Sequence, residues 1–273
     1  MSQLEINTKP FLRWAGGKSW LIKHLSSFIP QSGYNRYHEP FLGGGSIFFH
    51  LKPNRAFLSD LNQDLIETYS QIKNNVSSVI DELKKFENTE ECYYQLRQAQ
   101  FEDNAANAAR FIFLNQTSFN GIYRVNLKGE YNVPYGYRNK DFIDEKNLLL
   151  ASRSLKNCTL LYNDFTDSLA NIKKNDLVFI DPPYTVTHNN NGFIKYNKNL
   201  FDLDSQFRLS KYIDEIKQRD AYYILTNAAH EEIEKIFYKD GDKVLKLNRA
   251  SLIGGKNAHR GQYSELIVTN VKA

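Results

Sequence analysis

Apolar residues follow two spacings along this chain, and the alternation between them predicts its elements. Short apolar runs at residues 37–39, 56–59, 159–162, 176–180 and 222–226 read as strands. Between them apolar positions recur every three or four residues, as on one face of a helix: Leu21, Ile22, Leu25 and Phe28, then residues 61–72, 204–219 and 231–238. Val178, Phe179 and Ile180 are continuous and stop at an acid and two prolines, Asp181-Pro182-Pro183-Tyr184. Such a run fits a strand buried on both faces, hence a parallel sheet under helices, an α/β fold. Residues 73–150 differ, with charged helical patterns at 76–86, 92–101 and 105–115. Two alternating runs then flank Lys128-Gly129 and predict a β-hairpin. The expected organisation is one domain from 1–72 and 151–273, interrupted by an inserted helical domain, 73–150, that carries the hairpin. Two last runs, 243–247 and 264–269, bracket a loop holding Arg249, Lys256, His259 and Arg260, suited to gripping phosphates.

The strand ends carry the candidate chemistry. Prolines cannot donate to a ladder, so pairing stops at Pro182 and leaves Asp181 and Tyr184 beyond a strand's carboxyl end, where open α/β sheets bind ligands. A second strand end leads into Gly43-Gly44-Gly45, which let a backbone turn and approach a ligand closely. Asp60 and Asp164 end two further strands. An acid after strand two suits ribose hydroxyls, although Asp60 also fits an N-cap of the helix that follows it. Phe165 is placed to stack on a base. The glycine spacing is not that of a nicotinamide-dinucleotide fingerprint. Gly16-Gly17-Lys18-Ser19 lacks the first glycine of a phosphate loop, since Leu12 stands there. No histidine has an evident Ser or Cys partner, so chemistry without a covalent nucleophile is favoured.

Composition narrows the partners. The 273 residues carry a formal charge of +4, which permits a nucleic acid. Around the hairpin, Asn120, Arg124, Asn126 and Asn132 alternate with Phe119 and Tyr123, groups able to read base edges and stack. Two cysteines without metal-like spacing, no signal peptide and no apolar stretch of membrane length predict a reduced, cytoplasmic protein without a metal site or membrane partner.

The segments PFLRWAGGK (10–18), YHEPFLGGGSIFF (37–49), FLSDLN (57–62), FLNQTSFNGIYRVN (113–126), GEYNVP (129–134), NDF (163–165), DPPY (181–184) and SELIVTN (264–270) together resemble the Dam-type, D12 class, adenine-N6 DNA methyltransferases. The resemblance spans residues 10 to 270. It implies a Rossmann-like methyltransferase sheet, mostly parallel with an antiparallel C-terminal strand, and S-adenosylmethionine as methyl donor with no metal. It implies that Asp181, Pro182 and Tyr184 act on an adenine flipped out of double-stranded DNA. Cofactor contacts carry over to Trp14, Lys18, Phe41, Gly43, Asp60, Asp164, Phe165 and Asp181. DNA contacts carry over to Arg13, Phe119, Asn120, Arg124 and Pro134, with Arg260 in the basic loop, and GATC is the implied site, read by a protein expected to be a monomer. Two features depart from the family: Arg13 stands where lysine is commoner, and Gly136-Tyr137-Arg138-Asn139 replaces a Gly-Arg-Tyr-Lys-like run. Related DPPY-type motifs serve enzymes acting on RNA or protein glutamine, and a catalytically silent DNA-binding protein is a further alternative.

Overall fold

A computed structural model describes residues 8–126, 129–184, 201–250 and 262–272. The expected polar loop at 185–199, the hairpin's Lys128, and Lys256, His259 and Arg260 of the basic loop lie outside them. Seven strands form one sheet: β1 (Tyr37–Glu39), β2 (Ala56–Asp60), β3 (Cys158–Tyr162), β4 (Leu177–Ile180), β5 (Tyr222–Ala228), β6 (Lys243–Ala250) and β7 (Gln262–Thr269). Their order is β3-β2-β1-β4-β5-β7-β6. β1 pairs parallel with β2 and with β4, and β4 pairs parallel with β5. β7 alone runs against its neighbours, antiparallel to β5 and β6. The α/β sheet, mostly parallel with an antiparallel C-terminal strand, is therefore as the sequence predicts. Strand order runs outward in opposite senses from the β1–β4 pair, which makes that pair the topological switch point.

The helices are α1 (Ser46–Leu51), α2 (Gln63–Leu83), α3 (Glu90–Gln98), α4 (Asn104–Thr117), α5 (Glu145–Leu155), α6 (Leu203–Gln218) and α7 (Glu231–Phe237), with 3-10 turns at Ser19–Phe28, Phe119–Gly121 and Phe165–Asn171. Polar caps set their starts. Asn62, Thr89, Asp103, Asp144 and Asp202 each accept a hydrogen bond from a first-turn amide of α2 to α6. The periodicity that reads as separate helices at 61–72 and 76–86 belongs to one helix, α2, bent where Asn75 leaves helical geometry (φ −137°). α5 went unassigned from sequence, although Leu148, Ala151 and Leu155 recur at helical spacing and are its buried residues. Among the described residues the expected hairpin shows as the bridges Val125 to Tyr131 and Ser118 to Tyr135, with backbone bonds from the Asn126 amide to Glu130 and from the Asn132 amide to Arg124. Among the described residues no helix is long and apolar enough to cross a membrane.

The chain divides into two compact units. The first comprises the described parts of Met1–Ser19 with Leu42–Asn54 and Asp60–Tyr162. In it α2 packs on α4, and Phe11, Phe49 and Tyr69 form an aromatic core, with Phe11 and Tyr69 ring centroids 4.8 Å apart. The second comprises the described parts of Trp20–Phe41, Arg55–Ser59 and Asn163–Ala273. Its core joins Val178 and Ile180 of β4, Tyr223 and Leu225 of β5 and Leu266 and Val268 of β7 to Leu209, Tyr212, Ile213 and Ile216 of α6. The continuous apolar run of β4 is fully buried, as a strand covered on both faces requires.

A charged cluster lies in the second unit, at the amino-end side of β4. Asp176, wholly buried, accepts hydrogen bonds from Arg36 (2.6 Å) and the Lys173 amide (2.8 Å) and contacts His38 Nε2 at 2.9 Å. Burial lowers the His38 pKa below its ordinary 6.5. Burial alone raises Asp176, but the hydrogen bonds from His38, Arg36 and Lys173 prevail and hold it below its ordinary 3.8. Both groups bind fewer protons folded than unfolded, so acid weakens the fold. Stability should fall as pH drops through 6.5, where His38 charges in the unfolded chain, and again below 3.8 as Asp176 protonates. Asp176→Ala strands Arg36 and His38 and should cost about 3 kcal/mol in denaturant unfolding at neutral pH.

Candidate functional site

The loop leaving β4 holds the acid and ring singled out from sequence. Pro182 is buried, while Asp181 and Tyr184 are partly exposed. Neither side chain is left to rotate. Thr226 of β5, itself buried, donates its hydroxyl to Asp181 Oδ1 at 2.8 Å. The Tyr184 hydroxyl donates to Glu265 of β7, a carboxylate only 1% exposed. The sequence reading missed Thr226 and Glu265. Both lie inside apolar strand runs, and their role appears only once β5 and β7 are set beside β4.

In the same unit, Phe41 follows β1 and stacks on Phe165, which follows Asp164 (centroids 5.4 Å, interplanar 28°). Phe165 is buried against Tyr212, and Arg208 lies over its ring. Asp164 caps the turn Phe165–Asn171 through the Thr166 amide and takes Arg208 on the same oxygen, Oδ1, at 2.8 Å. Asn163 places a buried Oδ1 that has no partner among the described residues. A buried orphan acceptor costs about 1–3 kcal/mol, so one beside Asp164 suits a ligand that brings a donor.

In the first unit the glycine loop turns with Gly43 (φ 47°) and Gly45 (φ 64°) in the left-handed region. A Cβ on Gly43 would lie 2.7 Å from Trp14 Cδ1, and one on Gly45 2.9 Å from the Tyr69 hydroxyl oxygen. The missing side chain at Gly43 thus makes the seat of the Trp14 indole, which stacks on Tyr123 (5.4 Å, 17°). Lys18 is buried and bonds the Gly16 carbonyl at 2.8 Å, closing its own turn. Asp60 accepts from the Gly43 amide (3.0 Å) through Oδ2 and from the Asn62 amide (3.0 Å) through Oδ1. Burial raises its pKa, against amide bonds from Gly43, Asn62 and Leu61 that lower it. Asp60 is not the N-cap of α2, as one reading allowed; Asn62 caps it through the Leu65 amide (3.0 Å). Asp60 shapes the glycine loop instead.

Also in the first unit, four of the expected DNA contacts come together. The Phe119 amide bonds the Pro134 carbonyl (2.9 Å), and Phe119, Asn120 and Pro134 are exposed. Phe119 keeps 54% of its surface in solvent, unusual for a phenylalanine. The Arg13 guanidinium lies against Gly121, where a Cβ would approach its Cζ to 2.4 Å. Burial, with the charge of Arg138 beside it, lowers the Arg13 pKa, and its buried Nη1 has no partner among the described residues. Asn115, also missed from sequence, fixes the Arg13 backbone by bonding both its amide and its carbonyl at 2.7 Å. Arg124 is exposed, with Nε on Asn132 Oδ1 (2.7 Å) and one Nη on the Asn132 carbonyl (3.0 Å). Of the guanidinium's five N–H groups, two are spent on holding the plane and the end of the fork remains. Arg260 lies outside the described residues. Among the described residues no group of three or more His, Cys, Asp or Glu side chains could hold a metal.

Known proteins resemble this chain over most of its length. The family model for D12 class N6 adenine-specific DNA methyltransferase matches residues 14–251. The chain is 35% identical to the Type II methyltransferase M.MjaIII of Methanocaldococcus jannaschii, over 97% of this chain and 100% of that protein. It is 33% identical to the Type II methyltransferase M1.LlaDCHI of Lactococcus lactis subsp. cremoris, over 97% and 96%. It is 28% identical to the DNA adenine methylase of Escherichia coli strain K12, over 95% and 94%. The chain belongs to the D12 class N6 adenine-specific DNA methyltransferase family.

Proposed function

We propose that this enzyme moves a methyl group from S-adenosylmethionine to N6 of an adenine flipped out of double-stranded DNA, within GATC. The observation that carries the reading is the Asp181 carboxylate, held by Thr226 at the carboxyl end of β4, beside the switch point of the sheet. Adenine N6 shares its lone pair with the ring and is a weak nucleophile. Asp181 accepts a hydrogen bond from the amine and the Pro182 carbonyl takes the second, which favours a more tetrahedral nitrogen. Tyr184 stacks on the extruded base. The nitrogen forms its new bond to the methyl carbon as that carbon's bond to sulfur breaks, leaving a neutral thioether, and the surplus N–H proton is released to solvent; positioning and fixed dipoles serve such a reaction.

The donor, when bound, supplies an electrophilic methyl group on a sulfonium. By the resemblance, Trp14, Lys18, Phe41, Gly43, Asp60, Asp164 and Phe165 are the residues assigned to hold it. The orphan Oδ1 of Asn163 supports that assignment, because an adenine amine is a donor of the kind it lacks. Residues 73–150 are assigned to recognition, and 1–72 with 151–273 to catalysis. Arg124 and Arg13 are assigned to guanines, Pro134 to a thymine, Phe119 to the step vacated by the flipped base, and Asn120 to a neighbouring contact. The free end of the Arg124 fork supports a two-bond contact to one guanine, worth about 1–3 kcal/mol of discrimination.

Asp181→Ala should abolish methyl transfer while the protein still folds and binds DNA; full activity in single-turnover transfer of a labelled methyl group would refute its role. Gly43→Ala should displace the Trp14 indole and weaken S-adenosylmethionine binding by more than about tenfold, because the new Cβ cannot share that space. Titration calorimetry reads that loss, and unchanged affinity would remove the glycine loop from the cofactor site. Arg124→Ala should narrow the rate difference between GATC and a duplex altered at one guanine by about 10-fold or more. Equal discrimination in the variant would sink the guanine assignment.

A further inference from the structure

The antiparallel strand β7 carries a buried carboxylate next to an apolar run. Glu265 faces Ala228 in the β5–β7 register and is 1% exposed. A carboxylate so deeply buried costs several kcal/mol unless hydrogen bonds compensate it, and an apolar side chain avoids that cost. Leu266, Ile267 and Val268, which follow it, are all buried apolar residues. Its contact with the β4 loop is the hydrogen bond that its carboxylate accepts from the Tyr184 hydroxyl. The tyrosine poses a matching question. Stacking on a base needs a ring and not a hydroxyl, so the hydroxyl has work elsewhere.

We infer that Glu265 is a positioning residue for methyl transfer: it holds the Tyr184 hydroxyl and so fixes the ring plane before the target base arrives. The inference rests on the reading that Tyr184 stacks on the flipped adenine. Thr226 completes the arrangement from the neighbouring strand. β5 and β7 thus tie both ends of the four-residue motif, Asp181 through Thr226 and Tyr184 through Glu265, at rungs two residues apart in the same ladder (Thr226 to Ile267, Ala228 to Glu265). A tyrosine ring on a loop that ends a strand has two free torsions. Anchoring its far end removes both, so that the base meets a platform already formed.

The test is a double-mutant cycle of Tyr184→Phe and Glu265→Leu on the full chain, with Glu265→Gln as the conservative variant. Single-turnover rate on duplex DNA, S-adenosylmethionine affinity and thermal unfolding are measured for each. Glu265→Leu should fold with a Tm equal to or above the parent's, since a buried charge is removed, yet transfer methyl about tenfold more slowly. Tyr184→Phe should show a similar loss, and the double variant should be no slower than the slower single one. Glu265→Gln, which keeps an acceptor oxygen, should recover most of the rate, with donor affinity unchanged throughout. Parent-like rates in Tyr184→Phe or in a folded Glu265→Leu, or losses that multiply in the double variant, would overturn the inference. Tyr184→Ala separates the two levels: if it keeps full activity the stacking reading fails as well, and if it is inactive while the cycle shows no coupling, only the role of Glu265 fails.

Discussion

The parallel pairing of β1 with β4 is the constraint on which the site depends. Tyr37 and His38 lie opposite Leu177 and Val178, and from this short contact the strand order departs in both directions. Two strands that leave such a point send their next segments away from each other, so a crevice opens at their carboxyl ends. One of these ends delivers Glu39-Pro40-Phe41 and the other Asp181-Pro182-Pro183-Tyr184. The pair is only two residues long in register, so it needs support from below. Arg36, His38 and Asp176 supply it with a buried cluster at the opposite end of the same strands. The cluster is costly to bury and also intolerant of partial loss, which suits an element whose displacement would separate the two loops.

Much of this was legible in the sequence because it is written in local chemistry. A continuous apolar run that ends in two prolines specifies a covered strand and its last residue. Asp and Asn before helical spacing specify caps. Where the sequence misleads, a longer-range effect prevails. Asp60 stands one turn-length before helical residues and reads as a cap, but its oxygens go to the Gly43 and Asn62 amides, which lets Asn62 cap the helix instead. The polar alternation on either side of Lys128-Gly129 was a sound guide by contrast: the Asn126 amide bonds the Glu130 carbonyl and the Asn132 amide bonds the Arg124 carbonyl. Side chains reinforce this pairing, Asn126 on the Glu130 amide and side chain and Arg124 on Asn132. Thr226 carries no local signal, and Glu265 lies in the SELIVTN segment without its role being marked, because nothing in an apolar strand says which neighbour a hydroxyl or carboxylate will meet.

The same contrast separates two kinds of site residue. The groups assigned to chemistry are tethered: Asp181 to Thr226, Tyr184 to Glu265, Asp60 to backbone amides, Lys18 to Gly16. Each tether trades stability for geometry, since a buried polar pair stabilises a fold less than apolar packing does. The groups assigned to DNA are fixed at their bases, Phe119 by its amide to Pro134, Arg13 by Asn115 and Arg124 by Asn132, and Phe119 and Arg124 are exposed. Positioning accounts for both patterns. Transfer to a weak nucleophile is slowed tenfold by about 1.4 kcal/mol of misplacement, so a reacting group cannot search for its partner. A base-reading group must instead meet an edge that arrives from outside, and it can be held only from behind. The fold meets the first demand with strands β5 and β7 and the second with the loops around α4, and that division follows from what each contact must do.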